Sequence, residues 1–230
     1  MPTPRVALQV ALVVTAVVAA VSHLAPEAYA NTAVGAVFLG TTWLLVLRRD
    51  TATVRAFGLS LGGVAEPEPL DARRIAREGA GALAWALLFA LIFFPPFWLG
   101  YVFWWQTGRF ALTFPPDFGS QILGQLLVIA LPEEAFYRGY LQTALDAGWS
   151  KRTRSIFGAK LGPGWLLSAA IFAIGHLLTI PHPSRLAVFF PALAFGWLRA
   201  RTGGIGAGVV FHALCNLLTA ILAQSYERLP

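Results

Sequence analysis

An all-α, polytopic transmembrane bundle of about seven spans, with a cytoplasmic N-terminus, follows from three observations. Of 230 residues, 57% are hydrophobic and 12% charged, half the charge a soluble domain carries. The apolar residues come in runs of the length that crosses a hydrocarbon core of about 30 Å. With the N-terminus cytoplasmic, 13 Lys and Arg residues fall in cytoplasmic segments and three (Arg109, Arg185, Arg228) on the opposite side, the bias that orients membrane helices. The net charge of +6 therefore reports topology and is no nucleic-acid footprint; the partner it implies is the lipid bilayer. A single cysteine, Cys215, excludes an internal disulfide and a multi-cysteine metal site.

In chain order, residues 6–24 form the first span behind Arg5. The following Ala28-Tyr29-Ala30 has the form of a signal-peptidase site, so cleavage before Asn31 is the alternative reading. The run is longer than an ordinary signal-peptide core, which favours an uncleaved span. Residues 31–47 are the second span, stopped by Arg48-Arg49. Residues 48–79 are the longest polar stretch, broken at Pro67 and Pro69, with Arg73, Arg74 and Arg77 on a surface helix facing solvent or lipid headgroups. The third span, residues 80–105, is interrupted by Pro95-Pro96 and ends in Trp98, Tyr101, Trp104 and Trp105, an interfacial aromatic belt. A polar link, residues 106–119, leads to a fourth helix over 120–145, which Pro132 kinks or restarts. A basic loop (146–163), spans over 164–180 and 184–200, and a last span over 205–223 complete the chain.

The fourth helix holds the feature that needs explaining. Leu131-Pro132-Glu133-Glu134-Ala135-Phe136-Tyr137-Arg138 places three formal charges in apolar surroundings, each costing about 2.5–3.5 kcal/mol at a bilayer centre on insertion scales. Glu134 and Arg138 are i,i+4 neighbours in the favourable order and neutralise one another. Glu133 points about 100° away around the helix and lacks a partner; a carboxylate in such a place is suited to act as a general base.

Two further helices carry polar groups. Phe172 and His176 share a face in the fifth, His212 and Asn216 in the seventh. In lipid such groups turn inward and towards each other. Glu133, His176, His212 and Asn216 on one cavity could hold a water, deprotonate it and stabilise an oxyanion, or Glu133, His176 and His212 could ligate zinc. Singly each has a plainer reading: either His an interhelical hydrogen bond, Asn216 helix glue, Cys215 and Phe172 packing, His23 and His182 interfacial. Zinc-bound histidines normally hand their second nitrogen to a carboxylate or carbonyl. Glu134 is the one spare carboxylate and is expected to be taken by Arg138, so no metal and no other cofactor is expected.

Glu133-Glu134-x-x-x-Arg138, Phe172-x-x-x-His176 and His212-x-x-x-Asn216, in this order on separate helices, resemble the CPBP family of type II CAAX prenyl endopeptidases and bacteriocin-processing and immunity proteins, also called ABI. The resemblance covers about residues 120–224 and divides the chain into an unrecognised 1–119, a catalytic core over 120–224 and a tail, 225–230. It implies intramembrane peptide-bond hydrolysis by a Glu133-activated water. His176, His212 and Asn216 would bind water and oxyanion, with Glu134, Arg138 and Phe172 supporting. The family has been described both as metalloendopeptidases and as metal-free glutamate proteases; the chain has no HExxH motif, which favours the second. The implied substrate is a membrane-anchored or C-terminally tagged protein or peptide, and the implied location a prokaryotic inner membrane. The rival reading is a non-catalytic scaffold or transporter-like protein that uses the buried polar groups for proton or ligand binding. No inverted repeat with paired broken helices, the transporter signature, is present.

Overall fold

The computed structural model describes residues 1–105 and 107–228. Gln106, at the start of the expected link, and residues 229–230, in the expected tail, lie outside them. Helices dominate: α1 (Pro4–Leu24), α2 (Glu27–Leu47, its last turn π-helical), α3 (Thr51–Ala56), α4 (Ala72–Trp105), α5 (residues 118–148), α6 (Pro163–Thr179), α7 (Phe189–Thr202) and α8 (Gly206–Ser225). The all-α bundle is as the composition demands. Four helices, α1, α2, α4 and α8, are long and apolar enough to cross a bilayer, and α6 is a shorter apolar helix of 17 residues. The other two expected spans differ from these: α5 carries the charged centre, and α7 has 14 residues ending in Arg199 and Arg201. The outward faces of the long helices stay apolar, with Leu12, Leu91 and Phe103 among the exposed side chains, as lipid rather than water would require.

Local chemistry sets the helix ends. Thr3 caps α1 and Pro4 occupies its first position, where a missing N–H costs nothing. Asp71 accepts from the amides of Arg73 and Arg74 at 2.9 and 3.2 Å, so α4 begins there. The expected surface helix is thus the first turns of α4. Nor are its arginines all solvated: Arg74 bonds Glu66, Ser60 and Glu78. Pro95-Pro96 does not interrupt α4 either, which stays helical to Trp105; prolines are tolerated in lipid-facing helices because neighbouring groups re-satisfy the freed carbonyls.

The expected link contains β1 (Thr107–Phe110), paired antiparallel with β4 (Tyr226–Arg228), so the C-terminal tail is tied to the C-terminal part of α4, where Trp98 donates to the Tyr226 hydroxyl at 2.8 Å. The basic loop folds as a hairpin, β2 (Arg154–Ile156) with β3 (Ala159–Leu161). Its two turn residues, Phe157 and Gly158, have φ of 47° and 80°, the positive pair a tight two-residue hairpin requires.

Around α5 pack α2, α6, α7 and α8. One apolar core lies between α5 and the α1–α2 and α6 side, and a second joins α4, α7 and α8. α5 does not restart at Pro132; it runs through on α-helical dihedrals, with π-helical turns over Gly124–Ala130 and Ala135–Gln142 on either side. Widening the helix is one way to absorb a ring that cannot donate and crowds the carbonyl four residues back. That carbonyl, on Val128, is covered by Gly35 of α2: a Cβ there would collide with the Val128 oxygen.

Candidate active site

α5, α6 and α8 bring six of the seven expected site residues into one cluster. Glu134 is wholly buried, and its Oε1 accepts from Arg138 Nη1 at 2.9 Å and from His212 Nδ1 at 3.0 Å. Arg138 is 1% exposed and donates its other nitrogen to the Ala192 carbonyl at 3.3 Å. Its guanidinium lies 4.4 Å from the Phe172 ring centre and 5.1 Å from that of Phe195, so aromatic faces replace water around the cation.

The two imidazoles are held alike. His176 Nδ1 donates to the Phe172 carbonyl at 3.0 Å, because a carbonyl can only accept. His212 Nδ1 donates to the Glu134 carboxylate. Each ring therefore keeps Nε2 out of that hydrogen bond. Phe172 stands between them, 4.3 Å from His176 and 5.9 Å, edge-on, from His212, which makes its expected packing role concrete. Glu133 completes the cluster: its Oε2 lies 3.8 Å from His212 Nε2 and is a buried oxygen with no hydrogen-bond partner among the described residues. That separation is too long for a direct hydrogen bond and suits a shared water.

Asn216 is placed one turn beyond His212 on α8, and its recorded partner is neither imidazole but Gln125. Its Nδ2 donates to Gln125 Oε1 at 2.7 Å, leaving one amide hydrogen and the carbonyl oxygen for other partners. The expectation that Arg138 would monopolise Glu134 is overturned: one carboxylate oxygen serves both Arg138 and His212, because α8 comes close to α5 at Gly208, where a Cβ would sit 3.0 Å from Glu134 Oε2. Both histidines thus have the second-nitrogen acceptor that the argument against zinc had denied them. Ligand geometry bears on the metal separately. Among the described residues, no group of three or more His, Cys, Asp or Glu side chains is disposed to hold a metal ion.

Three contributors were not anticipated. Gln125 is a lone amide in the apolar stretch before the motif, a signal the sequence does carry. Phe195 stacks on His212 at 4.7 Å with the planes 12° apart, and Gly208 admits Glu134; both come from tertiary packing and have no local signature. Of the plainly read histidines, His23 bonds the Leu178 carbonyl at 2.9 Å and His182 pairs with Ser184, structural contacts away from the cluster.

Residues 115–218 match the family described as Type II CAAX prenyl endopeptidase Rce1-like, a segment that spans every residue of the cluster. No curated protein and no solved structure matches the chain. Over that segment the chain is similar to a CAAX protease-type family of membrane endopeptidases.

Proposed function

We propose that the chain is an intramembrane endopeptidase in which Glu133 is the general base. The observation that carries this is the unpartnered Glu133 Oε2, 3.8 Å from the free nitrogen of His212, in a cluster whose other charges are all paired. A water bound between the two loses its proton to Glu133 as its oxygen attacks the scissile carbonyl carbon. The proton then passes from Glu133 to the departing amine, so the carboxylate is regenerated. His176 and His212 orient the water through Nε2; the Glu134 carboxylate, accepting from His212 Nδ1, holds that ring so that Nε2 faces the oxyanion as it forms. Asn216 offers its remaining amide hydrogen to the same oxyanion. No step needs a metal.

The substrate in this reading is a membrane-anchored or C-terminally tagged protein, and the site is a prokaryotic plasma membrane. The test is comparative proteomics of membranes containing the wild-type chain or Glu133→Gln. Shortened membrane proteins with wild type alone, from a variant that is folded and present in equal amount, support the proposal. Identical membrane proteomes would favour the scaffold or transporter reading. With a cleaved substrate in hand, purified protein should retain activity in excess chelator; loss reversed by added zinc would overturn the metal-free step.

A further inference from the structure

A second polar cavity lies at the end of α5 away from Gln125, where the basic hairpin closes over the bundle. It is an open pocket of about 260 Å³ lined by Gln142, Thr143, Asp146, Lys160 and Arg199. Its cations are incompletely neutralised. Arg138 has Glu134, and Arg55 and Arg74 share Glu66, but Arg199 makes no ion pair among the described residues. One of its terminal nitrogens donates to the Thr143 hydroxyl at 3.2 Å and the Ala56 carbonyl at 3.4 Å, while Nε is buried with no partner. Gly58 packs against the guanidinium face, where any Cβ would collide with it, so the cation is held in place. Asp146, the carboxylate on this cavity, attracts Arg199 without forming an ion pair with it, and its Oδ1 is committed to the Gly164 amide at 2.8 Å, at the N-terminus of α6. Lys160 is exposed and makes no ion pair among the described residues.

Two cations against one committed carboxylate leave the cavity short of an anion. Its volume exceeds what a single small ion fills. Phe157, at the hairpin tip, is 90% exposed beside Arg154, Lys151 and Arg152, the mixture of apolar tip and basic flanks that settles at a headgroup layer. We infer that this cavity binds a phosphate group, with Arg199 and Lys160 as its cationic partners; basic pockets between membrane helices take phospholipid headgroups by this chemistry. Thr143 also donates to the Arg138 carbonyl at 3.1 Å, so an occupant held by Arg199 is connected to α5 three turns from Glu133.

The test uses the purified full chain. Thermal melting is followed with inorganic phosphate against chloride at equal ionic strength. In parallel, lipid retention is measured by native mass spectrometry from nanodiscs of phosphatidylcholine alone or with phosphatidylglycerol. Stabilisation by inorganic phosphate identifies a free-anion site; retention of phosphatidylglycerol without it identifies a headgroup site. Either supports the inference. Lys160→Gln, on an exposed strand, should melt with wild type in chloride yet bind about tenfold more weakly, the loss of one charge-assisted contact. Arg199→Gln should abolish binding. Absence of binding to both probes, or Lys160→Gln binding as wild type does, overturns the inference.

Discussion

Among the described residues two carboxylate side chains are wholly buried, those of Glu66 and Glu134, and their surroundings differ. Glu66, in the segment between α3 and α4, is saturated. Oε1 accepts from Arg55 Nε, the Ser60 hydroxyl and Arg74 Nη2, and Oε2 from Arg55 Nη2 and Arg74 Nη1. Glu134, on α5, is not: Oε1 accepts twice while, among the described residues, Oε2 has no hydrogen-bond partner and neighbouring Glu133 keeps an unpartnered oxygen as well. Buried polar groups are normally satisfied, and those that are not call for an explanation. The Glu66 knot is what a carboxylate looks like when its work is to fold a segment. The Glu133–Glu134 pair retains unused acceptor capacity, which is where the proposed chemistry would draw on it.

The comparison is broken most severely by truncating each acid. Glu134→Ala strands Arg138, 1% exposed, without its carboxylate, and removing one partner of a buried pair costs about 3–5 kcal/mol. Glu66→Ala should cost much less, because Arg55 and Arg74 retain side-chain exposures of 49% and 24% and can be rehydrated. Glu133→Gln should leave melting unchanged while lowering turnover by about 10²–10⁴-fold, the usual contribution of a general base. The yield of monodisperse protein and its melting temperature in detergent rank the three. Equal losses in all of them would make Glu133 a structural residue too.

Much of the intramembrane centre is legible in the sequence, because its rules are local. The Glu134–Arg138 pair follows from i,i+4 spacing, and the shared faces of Phe172 with His176 and of His212 with Asn216 follow from the helical period. The Glu66 knot is not legible. Arg55 and Arg74 lie 11 and eight residues away on either side, across turns that no periodicity describes, and such a stretch reads as solvated loop. Phe195 over His212, and Glu134 serving two donors at once, depend on how α7 and α8 meet α5. Those contacts exist only once the bundle has packed.

Acid sharpens the contrast at lower amplitude. Hydrogen bonds from Arg55, then Arg74, hold Glu66 far below its ordinary pKa of 4.5. A depressed folded-state value stabilises the fold above the ordinary pKa, and that contribution drains away as pH falls towards the folded value. Melting temperature should therefore be insensitive to pH near neutrality and decline progressively below about pH 4.5. Glu66→Gln should start lower and show a shallower decline. Parallel acid profiles for the two proteins would mean that the knot does not set the titration.

The smallest effect expected, and the finest test of the centre, is at Gln125. Its Oε1 accepts from Asn216 Nδ2 at 2.7 Å, linking α5 to α8 one turn from His212. Interhelical hydrogen bonds in membrane proteins average about 0.6 kcal/mol, so Gln125→Leu should scarcely alter melting. If Asn216 donates to the oxyanion, its orientation matters more than the bond's strength. Freeing its amide should lower turnover several-fold without a matching change in substrate affinity. A double-mutant cycle separates this from a general disturbance of α5: in an Asn216→Ala background the Gln125→Leu substitution should have no further effect on turnover. An undiminished loss in that background would show that Gln125 acts through some other contact, and that Asn216 reaches its position without help from α5.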